Sequence, residues 1–345
     1  MAAVRRDRGP RGWEGAVRGA WEEEMQMDRV LVTAMSQSDR TLPLLTGWVQ
    51  VPGFTIDPQQ ATVEEIFYRQ LNDAPYEVAE LSLASYLIAL GQGESRLTAI
   101  PVFLSRSFRH NAIYVRADSP YHHPRDLAGR PFGFPEFQMT AAVWVRGMFR
   151  HQYGLGPNDL TWVTYRPERI PVQTPARRGE KADLFTGLLT GEVDAVMSAR
   201  RPPAEHFSPG GEGGAIRRLF PDAFAEERTY YRETGIFPIM HLVSIRRDVA
   251  DAHPELPRLL YDTLLSVKEQ AVASLLETVK LEATAPWLVE SVEASVRAMG
   301  GDIWPYGLAA NWAQVETFMQ YLVEDGLLAR PLPPEAVFHP SVLDT

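Results

Sequence analysis

The sequence predicts an α/β protein of two lobes, with a central cleft and two strands crossing from one lobe to the other. Three observations carry this. Short β-rich runs alternate with segments of helical period through most of the chain. Val78-Ala79-Glu80-Leu81-Ser82 is echoed by Asp194-Ala195-Val196-Met197-Ser198, each after a helix and a turn and each ending on serine. The stretch 234–248 holds an apolar run with one proline, reaches His241, and then alternates like a strand before a segment rich in Leu and Ala. It reads as the return crossing, with His241 delivered to the cleft. Lobe 1 is then 28–113 with 240–345, and lobe 2 is 114–239.

The elements follow in order. Residues 29–35 form a first strand, and 36–41 follow at its carboxyl end, where open α/β sheets bind ligands. Arg40 is there a candidate anion contact, or a solvated loop arginine. A helix over 62–71 is capped by Thr62, with Glu64 and Glu65 favouring its dipole. A strand over 76–81, a helix over 82–90 ended by Gly91, and a strand over 97–104 come next. The loop 105–111 leads to a crossing strand over 112–116. Strand, helix, strand, helix, strand implies a parallel sheet.

Lobe 2 repeats the scheme. It has a strand over 131–134, a helix over 138–153 with Ala141, Val145, Met148 and Phe149 on one face, and a strand over 160–165. A polar, proline-containing loop over 166–181 precedes a helix over 183–189 and a strand over 193–198. The echo would put Ser82 and Ser198 on opposite walls of one cleft. After the return crossing, helices over 254–280, 287–299 and 311–324 pack back on lobe 1, with an aromatic turn at 301–307 and an extended tail from 331.

Composition narrows the function. A chain of 345 residues, 45% hydrophobic and 23% charged, suits a globular protein large enough for two lobes. A formal charge of -10 argues against a nucleic-acid partner, though local arginines can still hold an anion. The absence of cysteine removes disulfides, thiolate catalysis and thiolate metal sites. His122-His123 is a poor metal pair, because adjacent side chains point apart and no carboxylate stands at ligand spacing, so no metal site is expected. No apolar run reaches the length of about 18 residues that spans a membrane. Residues 1–27 are basic, then acidic, and lack the apolar stretch of an export signal. They read as a poorly ordered extension of a cytoplasmic protein.

Several segments carry a family likeness: Ala99-Ile100-Pro101-Val102-Phe103 through Phe108-Arg109-His110, Pro135-Glu136-Phe137-Gln138-Met139-Thr140-Ala141-Ala142-Val143-Trp144, 234–241, Trp304-Pro305-Tyr306-Gly307-Leu308, and the closing Val342-Leu343-Asp344-Thr345. Over 28–345 the chain resembles the 4,5-dihydroxyphthalate decarboxylase family. The resemblance implies a cytoplasmic offshoot of the type 2 periplasmic-binding-protein fold. It also implies a homo-oligomer that converts 4,5-dihydroxyphthalate to protocatechuate and CO2 with no organic cofactor. One departure is the segment 166–181, which looks shorter than in relatives; if it borders the cleft, substrate size or assembly would differ.

Such chemistry sets requirements. Direct loss of CO2 from an aromatic ring leaves an in-plane carbanion that the π system cannot stabilise. A para hydroxyl offers another route, pushing electrons into the ring while an acid protonates the carbon bearing the carboxylate. The site needs a general acid, a clamp for the retained carboxylate and a partner for the phenol. His241 is the first candidate acid and His110, closing a loop at a strand end, the second; each has a structural alternative. Arg106, Arg109 and Arg200 are candidate carboxylate clamps, one of the first two being expected to pair with an acidic side chain instead. Gln138 and Thr140 lie at a helix N-terminus, where free N–H groups attract anions. Ser82, Ser85 and Ser198 offer hydroxyls, and Trp304 and Tyr306 are candidate walls or packing anchors. The competing reading is a solute-binding protein for a small aromatic or other carboxylate, since one fold hosts both functions.

Overall fold

The structure is a computed structural model that describes residues 28–208 and 213–345; the expected extension over 1–27 lies outside the described residues. The chain begins β1 (Arg29–Ala34), α1 (Leu42–Leu45), β2 (Phe54–Pro58), α2 (Val63–Asn72), β3 (Val78–Ser82), α3 (Leu83–Gly91) and β4 (Leu97–Arg106). It crosses through a 3-10 turn at His110–Ala112 into β5 (Ile113–Arg116), β6 (Pro131–Phe134), α4 (Thr140–Tyr153), β7 (Thr161–Thr164), β8 (Arg177–Arg178), α5 (Leu184–Leu189), β9 (Ala195–Met197), β10 (Ile216–Arg218) and α6 (Ala223–Thr234). It returns as β11 (Ile239–Arg246) and ends α7 (Arg247–Ala252), α8 (Leu256–Ser274), α9 (Leu288–Met299), α10 (Trp312–Glu324) and α11 (Pro334–Val337).

Each lobe is built on one sheet, ordered β2-β1-β3-β11-β4 and β10-β5-β9-β6-β7-β8. The expected parallel pairing holds for strands joined by helices, such as β1 with β2 and β3, and for β7 with β8 across the 166–176 loop, but not for the crossing strands. β11 is antiparallel to both β3 and β4, and β5 is antiparallel to β9 and β10. The reason is topological. Each crossing strand arrives from the other lobe rather than over the sheet face through a helix, so the crossover rule does not govern its direction. The echoed segments β3 and β9 occupy equivalent places, each beside a crossing strand.

Local chemistry explains the element ends. Thr62 Oγ1 accepts the Glu65 N–H at 3.3 Å to cap α2, and Asp183 accepts the N–H groups of Phe185 and Thr186 at 2.9 and 3.0 Å to cap α5. The tail from 331 is not extended throughout. It folds into α11 and a 3-10 turn at Pro340–Val342, each started by proline and docked through Tyr86 Oη on the Val337 carbonyl at 2.6 Å.

The lobes also meet away from the crossings. Arg106 ties α10 to β4 through Gln314 and Asn311. On the other side of α10, Asp325 accepts from Arg146 Nε and Nη2 at 2.9 and 2.6 Å and from Arg150 Nη2 at 2.9 Å, all on α4. Gly147 lets the two helices touch, since a Cβ there would fall 2.0 Å from the Tyr321 ring. Trp144 donates its indole N–H to the Ile239 carbonyl at 2.8 Å, at the start of the return strand. Among the described residues no helix is long and apolar enough to cross a membrane.

Glu227 on α6 packs against the first crossing and accepts the Asn111 N–H at 3.1 Å. Burial pushes its carboxyl up to about 7, against the pull of that N–H, Arg218 and Arg109. A carboxyl raised in the folded state contributes stability below its unfolded range that is lost as pH rises through the folded value. Glu227→Gln keeps the acceptor and removes the charge. The variant is expected to gain about 1–3 kcal/mol of stability over wild type between pH 5 and pH 8, read by urea unfolding at both values.

Candidate active site

β3 and β11 pair with Ser82 opposite His241 and Glu80 opposite Val243. Side chains alternate along a strand, so Glu80 and His241 are diagonal neighbours on one face. His241 Nδ1 and Glu80 Oε1 lie 2.6 Å apart, and Glu80 is 1% exposed. The other carboxylate oxygen accepts the Ser36 N–H at 2.8 Å and the Ser36 hydroxyl. Burial acts to raise the Glu80 carboxyl, but the bonds from His241 and Ser36 together hold it below the usual carboxylate range. An ionised Glu80 assigns the hydrogen to His241 Nδ1 and leaves Nε2 for a ligand. The Phe67 ring meets the imidazole edge-on at 4.7 Å between centroids and fixes its plane.

His241 lines a cavity of about 330 Å³ between the lobes, large enough for one substituted ring. Ser82, Ser105, Ser107 and Arg109 come from β3, β4 and the first crossing; Met139, Thr140, Arg166 and Arg169 come from the second lobe. Ser82 Oγ and Thr140 Oγ1 lie 2.9 Å apart, and Thr140 Oγ1 also accepts the Ala84 N–H at 3.0 Å. The Arg109 guanidinium also lines the cavity. Its buried Nε has no hydrogen-bond partner, and burial pushes its pKa down to about 10, which still leaves it charged at neutral pH.

Other expected site residues have different partners. His110 is 1% exposed among Tyr153, Phe220 and Tyr230, both ring nitrogens lack a partner, and burial pushes it down to about 4. A neutral ring outside the cavity is no acid at working pH. Arg106 spends its guanidinium on the Phe237 and Pro305 carbonyls at 2.9 and 2.8 Å and on α10, so it is a tie rather than a clamp. Arg40 reaches Asp39 at 2.5 Å and stacks 4.1 Å over Trp304, whose indole N–H goes to the Phe103 carbonyl at 2.8 Å. Tyr306 is 6% exposed and does not line the cavity, so neither aromatic forms a wall. Gln138 donates to the Ile170 carbonyl at 2.8 Å and thereby holds the 166–181 loop. Ser85 is buried behind Arg169, whose Nη1 lies 3.4 Å away. Ser198 and Arg200 line an adjoining cavity that shares Glu64, Met139, Arg166 and Ala199 with the first. Arg200 bridges its mouth to Glu64 at 2.6 Å.

Comparison with known proteins places this geometry. No protein-family model matches the chain. A 4,5-dihydroxyphthalate decarboxylase of Comamonas testosteroni is 35% identical over 328 residues, which covers 91% of this chain and 98% of that protein. The chain belongs to the 4,5-dihydroxyphthalate decarboxylase family. A 4,5-dihydroxyphthalate decarboxylase of Pseudomonas putida is 40% identical over 185 residues, covering 50% of this chain and 71% of that protein. Among solved structures, the periplasmic aliphatic sulphonate binding protein SsuA from Escherichia coli superposes with a TM-score of 0.53 at 14% identity, over 90% of this chain and 92% of that one. A putative sulfonate-binding SsuA from Methylobacillus flagellatus gives 0.53 at 12% identity, over 92% and 93%. These likenesses show the two-lobed periplasmic-binding-protein architecture.

Within this decarboxylase-family site, sequence reasoning missed Glu80, Ser36, Phe67, Arg166 and Arg169. Glu80 had a signal: it is the one charged residue in an otherwise apolar or small strand, Val78-Ala79-Glu80-Leu81-Ser82. The two arginines sat unread in the polar loop. Among the described residues, no group of three or more His, Asp or Glu is placed to hold a metal ion.

The Ser82–Thr140 contact joins the lobes at the cavity wall. Thr140→Val, which keeps shape but removes the hydroxyl, orphans the buried Ala84 N–H. The expected cost is about 1–3 kcal/mol, read as a lower urea midpoint at unchanged m-value.

Proposed function

We propose that this protein removes one carboxylate of 4,5-dihydroxyphthalate as CO2, giving protocatechuate, with His241 as the acid that protonates the ring. The observation that carries this reading is the buried Glu80–His241 pair beside an unpaired Arg109. Glu80 is a positioning residue. Its ionised carboxylate accepts from Nδ1–H and fixes the ring, which leaves Nε2 as the atom that delivers the proton to the cavity. Arg109 offers two parallel donors to the carboxylate that is kept.

The electrons balance without an external sink. The hydroxyl para to the departing carboxylate donates into the ring as Nε2–H protonates the carbon bearing that carboxylate. The ring carbon becomes tetrahedral, the C–C bond breaks, and its electron pair restores aromaticity as CO2 leaves. One proton is consumed per turnover and returns to His241 from water. A hydroxyl is para to each carboxylate in this symmetric substrate, so either binding orientation is productive.

His241→Asn is expected to lower kcat by about 10²-fold or more while phthalate still binds near its wild-type affinity. Near-normal turnover in that variant would remove His241 from the chemistry. Glu80→Gln retains an acceptor but loses the charge. It should lower kcat while phthalate still binds near its wild-type affinity; a wild-type kcat in the folded variant would leave Glu80 only a packing role. Carbon dioxide release and ring spectroscopy on purified protein with 4,5-dihydroxyphthalate test the reading as a whole.

A further inference from the structure

Three arginines line the cavity, and they are not equivalent. Arg109 is unpaired. Arg166 and Arg169, from the loop after β7, share a single buried carboxylate, Glu136: Arg166 Nη2 lies 3.3 Å from its Oε1 and Arg169 Nη2 3.3 Å from its Oε2. Charge-assisted bonds between guanidinium and carboxylate are normally shorter, about 2.7–2.9 Å. Glu136 Oε2 makes no hydrogen bond of good geometry, and burial raises the carboxyl against the pull of both arginines. Arg169 is otherwise held only by Ser85 Oγ at 3.4 Å and by lying 5.4 Å over the Phe67 ring, the same ring that sets the His241 plane. Glu64, which lines the cavity whereas Glu136 stands behind the arginines, is engaged by Arg200. Arg169 also reaches Glu136 Oε1 at 3.4 Å and Arg166 draws on Glu64 as well, yet no short ion pair holds either guanidinium, so part of their charge is left without a close partner.

We propose that Arg166, Arg169 and Glu136 form a second carboxylate subsite, which makes the cavity selective for a ring bearing two neighbouring carboxylates. This deepens the decarboxylase reading and rests on it. One substrate carboxylate binds Arg109 and the other draws the two arginines away from Glu136. Glu136 is then an internal competitor: it neutralises the arginines in the empty site and takes them back when the diacid has become a mono-acid. Loss of CO2 removes one of the two anionic contacts, so the product is held less tightly than the substrate, and release follows from the reaction itself.

The test compares binding of phthalate and benzoate, neither carrying the hydroxyl that drives turnover, by calorimetry at neutral pH. Wild type should prefer phthalate by about tenfold or more, the value of one charge-assisted contact. Arg166→Gln with Arg169→Gln should bring the ratio close to one with benzoate affinity little changed. Arg169→Lys, which keeps the charge on a safer side chain, should retain part of the preference. Glu136→Gln should tighten phthalate and leave benzoate nearly alone. A wild-type ratio in a folded double glutamine variant, or looser phthalate binding in Glu136→Gln, overturns the subsite. Turnover of 4,5-dihydroxyphthalate by wild type is measured alongside. Its absence overturns the decarboxylase reading while the binding ratio still reports on the subsite.

Discussion

A carboxylate buried in the middle of a sheet is tolerated only if donors reach it, and Glu80 takes its donors from the strands on either side. Ser36 stands just beyond β1 and His241 lies on β11, so the order β1-β3-β11 is what satisfies the buried charge. A slip of one residue between β3 and β11 would turn Glu80 to the opposite face and leave both charge and imidazole without a partner. The register that closes the first lobe is therefore the register that pairs His241 with Glu80. Fold and chemistry share a single hydrogen bond, and the return strand must come from the other lobe to supply it.

The cleft shows how a net-acidic chain holds an anion. Its overall charge of -10 is spread over the surface, while three guanidiniums converge on one partly enclosed cavity. Of the three, Arg109 is buried with no hydrogen-bond partner on its Nε, and Arg166 and Arg169 divide one carboxylate; Arg200, on the adjoining cavity, is spent on Glu64. In a low-dielectric cavity these differences decide which arginine has binding capacity left.

Much of this was legible in the sequence, and the rest was not for identifiable reasons. Period and capping gave the helices around Thr62 and Asp183, and the Val78–Ser82 echo gave the paired lobes. Position on a crossing strand singled out His241. The arginines were harder, because a guanidinium's role depends on partners far away in sequence. Arg106 looks no different from Arg109 until Asn311 and the Pro305 carbonyl close on it. Glu80 was visible as a lone charge in an apolar strand, yet its partner is 161 residues away. For His110, the second candidate acid, the structural alternative holds: the aromatic rings of α4 and α6 enclose it.

The contacts between α4 and α10 bear on how molecules enter and leave. Swinging the lobes apart as rigid halves would have to part Arg146 from Asp325, a pair 1% and 2% exposed, and strip the Ile239 carbonyl of its indole donor. A buried, doubly bonded pair resists separation more than an exposed pair such as Glu64–Arg200, which contributes about 1 kcal/mol or less. A transport receptor spends part of its ligand's affinity on shutting; contacts already formed between α4 and α10 would reduce what a ligand has to supply here.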